Sequence, residues 1–259
     1  MLESAPPLLR LQSVTKAFPS GVTALADLDL DIRAGEFLSL LGPSGCGKST
    51  ALRIIAGLSP PTEGRVTWPG AAAADHRGEI GFVFQEPTLM PWANVADNVW
   101  LPLRLRGVSK HDAKRRIAES LALVGLEAFA SAYPRELSGG MKMRVSIARA
   151  LSLKPRLLLM DEPFGALDEI ARFRLNDDLL RLQDELGCTI VFVTHSIYES
   201  AYLSTRVVVM TPRPGRVAAE IAGATRAERE ADFRTSMPYA DLCRRIARSL
   251  AGAGAEEAA

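Results

Sequence analysis

Hydrophobic and polar positions change period several times along this chain, and those changes set out its elements. Leu9, Leu11 and Val14 begin one strand, and Leu28, Leu30 and Ile32 alternate with Asp29, Asp31 and Arg33 in another. Ala34-Gly35-Glu36 is a turn, and Phe37–Leu41 is a short apolar strand. Ser49–Leu58 takes the helical period and is closed by Gly57 and Pro60-Pro61. Arg65–Trp68 and Glu79–Phe84 predict two more strands, with an exposed loop over Pro69–Asp75 between them. Residues 89–152 are mostly helical in pattern: Asn94 is placed to cap one helix, and Ser109 with Asp112 resembles a capping box. Ile117, Leu121 and Val124 form an apolar stripe there, which Gly125 ends. Leu157–Met160, Ile190–Val193 and Val207–Met210 have the leucine-rich or β-branched composition of buried parallel strands. A last helix starts at Pro238 with Tyr239, Leu242, Ile246 and Leu250 on one face, either packing or binding a partner. Residues 252–259 read as a disordered tail. The expected architecture is α/β: an N-terminal antiparallel β subdomain, a mostly parallel sheet, and a helical subdomain inserted at about 89–152.

Composition narrows the function classes. Apolar residues make up 47% of the 259 positions, enough for a sizeable core, and the formal net charge is +1. That balance argues against nucleic acid as a partner. The apolar runs are strand-sized, far short of the roughly 20 residues that span a bilayer. The first residues, Met1–Pro7, lack the basic start and apolar core of a signal peptide, so a cytoplasmic protein is expected. Cys46, Cys188 and Cys243 are far apart and form no Cys-x-x-Cys pair, and His76, His111 and His195 are scattered, so disulfide and zinc readings are poor.

Candidate chemistry lies at three strings. Gly42-Pro43-Ser44-Gly45-Cys46-Gly47-Lys48-Ser49-Thr50 has the spacing Gly-x-x-x-x-Gly-Lys-Ser between a strand and a helix. Its glycines let backbone N–H groups face phosphate oxygens, Lys48 adds a point charge, and Ser49 offers a hydroxyl to magnesium. Cys46 is either a small residue that fits the loop or a thiolate favoured by Lys48. Asp161 follows the apolar run Leu157–Met160 and can take magnesium; the adjacent Glu162 can orient or deprotonate the attacking water. Leu137-Ser138-Gly139-Gly140-Met141 opens a helix and makes a second anion site, which suggests that two chains meet around ATP. Gln85 ends a strand and can hold water near the metal, or is an ordinary loop residue. His195, also at a strand end, is either structural or a donor to the γ-phosphate. Phe18 is either a core aromatic or a platform for adenine.

The glycine loop, Gln85, Leu137–Met141, Asp161-Glu162, Ala166-Leu167-Asp168 and His195 follow in an order that resembles the nucleotide-binding subunit of an ABC transporter, over residues from about 8 to 215. The strings Val83–Pro87, Met90-Pro91-Trp92, Asp161–Asp168 and Arg213-Pro214-Gly215-Arg216 are similar to the importer group for nitrate, sulfonate and taurine, which includes importers of pyrimidine precursors. The resemblance implies a P-loop NTPase core, a nucleotide-binding domain over 8–223 and a helical extension with a flexible tail over 224–259. It implies ATP and magnesium as cofactors, with Ser49, Gln85 and Asp161 toward the metal. Phe18 then stacks on adenine, and Gln85 links the γ-phosphate to the membrane subunit. Leu137–Met141, through Ser138, Gly139 and Gly140, contact ATP held by the opposite chain. Glu162 is the catalytic base, Asp168 signals across the dimer, and His195 is the γ-phosphate switch. The implied partners are a second copy, membrane permease subunits and, indirectly, an extracytoplasmic solute-binding protein, at the cytoplasmic face of the inner membrane. Met143, Ser196, Tyr198 and Ser200 depart from the family's frequent residues without removing a phosphate or metal ligand. A non-transport ABC ATPase and a nucleotide-dependent regulatory module are the alternatives.

Overall fold

A computed structural model describes residues 7–69, 79–165, 167–229 and 232–255. Most of the expected loop at Pro69–Asp75, together with Ala166 and the last four residues of the expected tail, lies outside them. In chain order the elements are β1 (Pro7–Ala17), β2 (Thr23–Arg33), β3 (Phe37–Leu41), α1 (Lys48–Ile55), β4 (Glu63–Thr67), β5 (Ile80–Val83), α2 (Val95–Leu105), α3 (Lys110–Leu123), α4 (Gly139–Leu151), β6 (Leu157–Asp161), α5 (Glu169–Leu186), β7 (Thr189–Thr194), α6 (Ile197–Leu203), β8 (Arg206–Met210), β9 (Val217–Ala222) and α7 (Met237–Ala255). Two compact units contain them: Met1–Asp75 with Thr189–Ala259, and His76–Cys188.

In the first unit β1 is the middle strand of an antiparallel sheet, with β2 on one side and β4 on the other. The alternation seen in β2 is real: Leu28, Leu30 and Ile32 are buried and the residues between them are not. A second sheet places β3 between β7 and β8, parallel to both, with β9 antiparallel on the far side of β8. Every residue of β3, β7 and β8 is buried, which is why their sequences run as unbroken apolar stretches rather than alternating ones. α7 packs Leu242, Ile246 and Ala253 against Leu41, Ala201, Val207 and Val209, so packing is the one of its two possible roles that the fold displays. It continues through Ala255, so the first residues of the expected disordered tail are helical.

One buried ion pair ties this unit together. Arg206 donates from Nε to Glu36 at 3.0 Å and from a terminal nitrogen to the other Glu36 oxygen at 2.8 Å. Its remaining donors meet Glu220 at 2.8 Å and the Asp31 carbonyl. Removing one partner strands a buried charge, which costs more than the pair itself contributes. Glu36→Ala is expected to lower the unfolding free energy by about 3–5 kcal/mol in a urea titration. A loss below about 1 kcal/mol would show that solvent reaches Arg206 and makes the pair expendable.

The second unit holds the parallel pair β5 and β6, in the register Ile80↔Leu157 to Val83↔Met160. Its helices start where polar side chains can take their unpaired N–H groups. Asn94 accepts from the Asp97 N–H at 2.8 Å to open α2, and Ser109 accepts from Asp112 at 3.2 Å to open α3. Asn98, fully buried in α2, exchanges hydrogen bonds with Met90 and reaches the Ala93 carbonyl, so it fixes the segment before its own helix. Gly125, with φ 66°, ends α3 as its sequence predicts.

Candidate nucleotide-binding site

In the first unit the chain leaves β3 at Leu41, turns through Gly42–Gly47 and enters α1 at Lys48. Gly47 is the N-cap, with φ 105° and no side-chain cap bond. A Cβ on Gly47 would stand 2.6 Å from the Ala24 carbonyl oxygen, so only glycine lets the loop lie this close against β2. Lys48 is 4% exposed, and its ammonium donates to the carbonyls of Gly42 at 2.7 Å and Pro43 at 2.8 Å. The loop is thus wrapped around its own cation, and the positive end of α1 faces the same space. Cys46 lies 3.8 Å from that ammonium. Burial nevertheless outweighs the charge and pushes its thiol pKa up, so Cys46 is a small buried filler and not a thiolate.

His195 belongs to the same unit and the same sheet end. Leu41 is in register with Thr194, so the residues that follow each strand, Gly42 and His195, emerge side by side. The imidazole is exposed, at the entrance to α6. Ser196 caps α6 by accepting from Glu199 at 3.3 Å, while Thr194 donates to the buried Glu199 carboxylate. Ser196, a departure from the family's frequent residue, therefore has a local job as a cap. Phe18 sits on the turn between β1 and β2, half exposed, with Lys16 Nζ 5.5 Å from its ring centre. It is not the core aromatic that its spacing allowed.

The second unit carries the carboxylates. β5 and β6 end together, so Gln85 and Asp161-Glu162 leave the sheet at one end. Asp161 closes β6 and is 9% exposed. Glu162 follows at φ 45°, left-handed backbone that costs a non-glycine residue of order 1–3 kcal/mol and collects at functional turns. The turn closes with Gly165 N–H donating to the Glu162 carbonyl at 3.2 Å. Gln85 Nε2 lies 4.0 Å from where a Gly165 Cβ would be, so glutamine and acidic turn are neighbours. Asp168 accepts from the Ala171 N–H at 2.9 Å and so is the N-cap of α5.

Ser138 caps α4 by accepting from the Met141 N–H at 3.3 Å, and Ser138 and Gly139 are exposed at the helix start. Leu137 is buried and anchors the string. A Cβ on Gly139 would meet only Leu167, at 3.7 Å, and one on Gly140 would meet nothing within 4 Å. The glycines thus leave the helix start open rather than filling a tight space. Ser138, Gly140 and Met141 border a concavity of ≈ 310 Å³ that Arg144 and Arg174 also line. Arg144 donates to the Val124 carbonyl at 2.9 Å and pairs with Asp178 at 2.5 Å. Further along α4, Arg149 donates to the carbonyls of Pro87 at 2.9 Å and Thr88 at 2.8 Å, holding the segment just after Gln85. Neither arginine stands out in the sequence, because each acts on backbone far away in the chain.

Ser49 in the first unit carries a hydroxyl, and Asp161 and Gln85 in the second carry a carboxylate and an amide oxygen, each a hard oxygen donor of the kind magnesium takes.

The family model described as ABC transporter matches residues 25–165. The chain is 47% identical over 212 residues to an uncharacterised ABC transporter ATP-binding protein of Methanocaldococcus jannaschii, covering 81% of this chain and 79% of the relative. It is 49% identical over 198 residues to a taurine import ATP-binding protein of Rhizobium johnstonii, covering 76% of each. Among solved structures, a dimeric ATP-binding cassette in a post-hydrolysis state with ADP and Pi superposes with a TM-score of 0.73 at 37% identity, covering 84% of this chain and 99% of that one. The chain belongs to the ABC transporter family, with the P-loop NTPase fold, as one of its ATP-binding, ATP-hydrolysing cassettes.

Proposed function

We propose that this chain is the motor subunit of an importer, two copies of which close around ATP and part when it is cut. The observation that carries this reading is the start of α4. Ser138 and Gly139 are exposed there, beside a concavity lined by Arg144 and Arg174, and a helix start of this kind suits a phosphate in addition to the one at the loop around Lys48. An anion surface repeated on one chain has a use when a second copy brings its nucleotide to it. The dimeric cassette with ADP and Pi supports the same arrangement.

Within that reading Phe18 is the adenine platform. Lys48 and the loop N–H groups hold the β and γ phosphates. His195 and Gln85 approach the γ-phosphate, and Glu162 takes the proton from the attacking water. Magnesium, when bound, would neutralise charge on the phosphates, with Ser49, Asp161 and Gln85 as its protein ligands. ATP favours the closed pair because the signature groups contribute only there, and that difference in affinity moves the equilibrium. Asp168 caps α5 next to the acidic turn, and in this reading it reports the closed state. The coupled permease supplies the membrane at the cytoplasmic face; no helix among the described residues is long and apolar enough to cross one. An extracytoplasmic binding protein selects the solute, and the taurine-import relative favours the nitrate, sulfonate and taurine class.

Ser138→Arg tests the composite site. The variant keeps the parent's ATP affinity in the isolated chain, and its hydrolysis rate falls by about 100-fold, because a bulky cation stands where the partner's nucleotide must dock. Full ATPase activity in that variant would falsify the two-chain arrangement.

A further inference from the structure

The string Arg213-Pro214-Gly215-Arg216 has no part in the proposed hydrolysis, yet it folds onto the phosphate loop. Arg213 Nε donates to the Gly45 carbonyl at 3.0 Å, across 168 positions of chain. Gly215 is stitched to β2: its N–H donates to the Ala24 carbonyl at 2.9 Å, and its carbonyl accepts from Ala26 at 3.2 Å. A Cβ on Gly215 would lie 2.1 Å from the Cys46 carbonyl oxygen, so that oxygen rests directly on the glycine backbone.

Two successive peptide units of the loop, 45–46 and 46–47, therefore turn their oxygens toward residues 213–215. A trans peptide is planar with N–H and C=O opposed. Fixing both oxygens on one side directs the Cys46 and Gly47 N–H groups to the other. Consistent with this, Cys46 N–H points across the loop to the Pro43 carbonyl, at 3.3 Å, a long bond that a phosphate oxygen on the same side would replace. The left-handed φ values of Gly45, 78°, and Gly47, 105°, let the chain hold this alternation.

We propose that Arg213 is a positioning residue of the nucleotide site: by holding the Gly45 oxygen it presets the N–H groups that receive phosphate. The inference rests on the reading of Gly42–Thr50 as the phosphate site. The guanidinium is exposed, so solvent screens its charge and its influence passes through the bond to Gly45. Preorganisation of this kind raises affinity by reducing the ordering that binding must supply. It serves ATP and ADP alike, since both carry the β-phosphate.

The test is titration of the full chain with MgATP and MgADP, alongside steady-state ATPase kinetics. Arg213→Ala weakens both nucleotides by a common factor of about tenfold, the scale of one charge-assisted hydrogen bond. The effect falls on KM rather than kcat, and the nucleotide-free thermal midpoint stays within about 2 °C of the parent. Arg213→Lys, which keeps a donor able to reach the carbonyl, recovers most of the affinity. Gly215→Ala, which must push the Cys46 carbonyl away, weakens binding further. Unchanged affinity in Arg213→Ala overturns the proposal. So does a loss confined to ATP, which would mark direct γ-phosphate contact, and so does a loss that tracks a lowered thermal midpoint or is not rescued by lysine. Nucleotide binding that survives Lys48→Ala would instead overturn the phosphate-loop reading, whatever Arg213 does.

Discussion

Lys48→Ala is expected to weaken MgATP binding by at least about 100-fold, as followed with a fluorescent nucleotide. Two losses combine. The site loses the one cation that the loop encloses, and a triphosphate entering a low-dielectric cradle depends on that charge more than it would in water. The carbonyls of Gly42 and Pro43 also lose the donor that holds them at 2.7 and 2.8 Å, so the empty loop relaxes from its binding geometry. Circular dichroism of the variant checks that the rest of the chain remains folded. An affinity within about threefold of the parent would show that the N–H groups alone hold the phosphates and that the lysine is structural.

Glu162→Gln carries the second large effect. The amide matches the carboxylate in shape and can occupy the same left-handed turn at φ 45°, so binding is retained. It cannot accept the water's proton, and general-base loss costs typically about 10²–10⁴ in rate. Hydrolysis should fall by that factor, while MgATP holds the chain as a dimer in light scattering, because in the proposed cycle cutting the nucleotide opens the pair. Hydrolysis at the parent rate would remove Glu162 from the reaction. A chain that stays monomeric with MgATP, even with its permease supplied, would remove the clamp.

Some of this was legible without coordinates because it is written in near neighbours. The spacing from Gly42 to Ser49, the apolar run before it and the helical period after it all lie within a few turns of chain, and the folded loop follows them. The caps at Asn94 and Ser109 and the stop at Gly125 are equally local. Ser138 and Asp168 were singled out for chemistry, yet both also prove to be N-caps; an exposed helix start that needs a cap and an anion surface draw on the same residue types. The cap at Ser196 was missed because its residue type was read only as a departure from the family pattern.

By itself, then, the sequence determined most of the strands, the helical stretch between β5 and β6, the glycine loop and the acidic turn, because hydrophobic period, glycine spacing and capping act over a few residues; α5 and β9 have no such local signature. Tertiary structure alone decided that β3 lies between β7 and β8, bringing His195 beside the loop's start. It decided that Arg206 closes on Glu36 across 170 positions and that Arg213 reaches Gly45 across 168. It also decided that Arg149 grips the backbone after Gln85, and that burial keeps the Cys46 thiol protonated. Such bonds depend on where distant backbone carbonyls and carboxylates come to rest, and no periodicity along a chain encodes the position of a partner so far away in sequence.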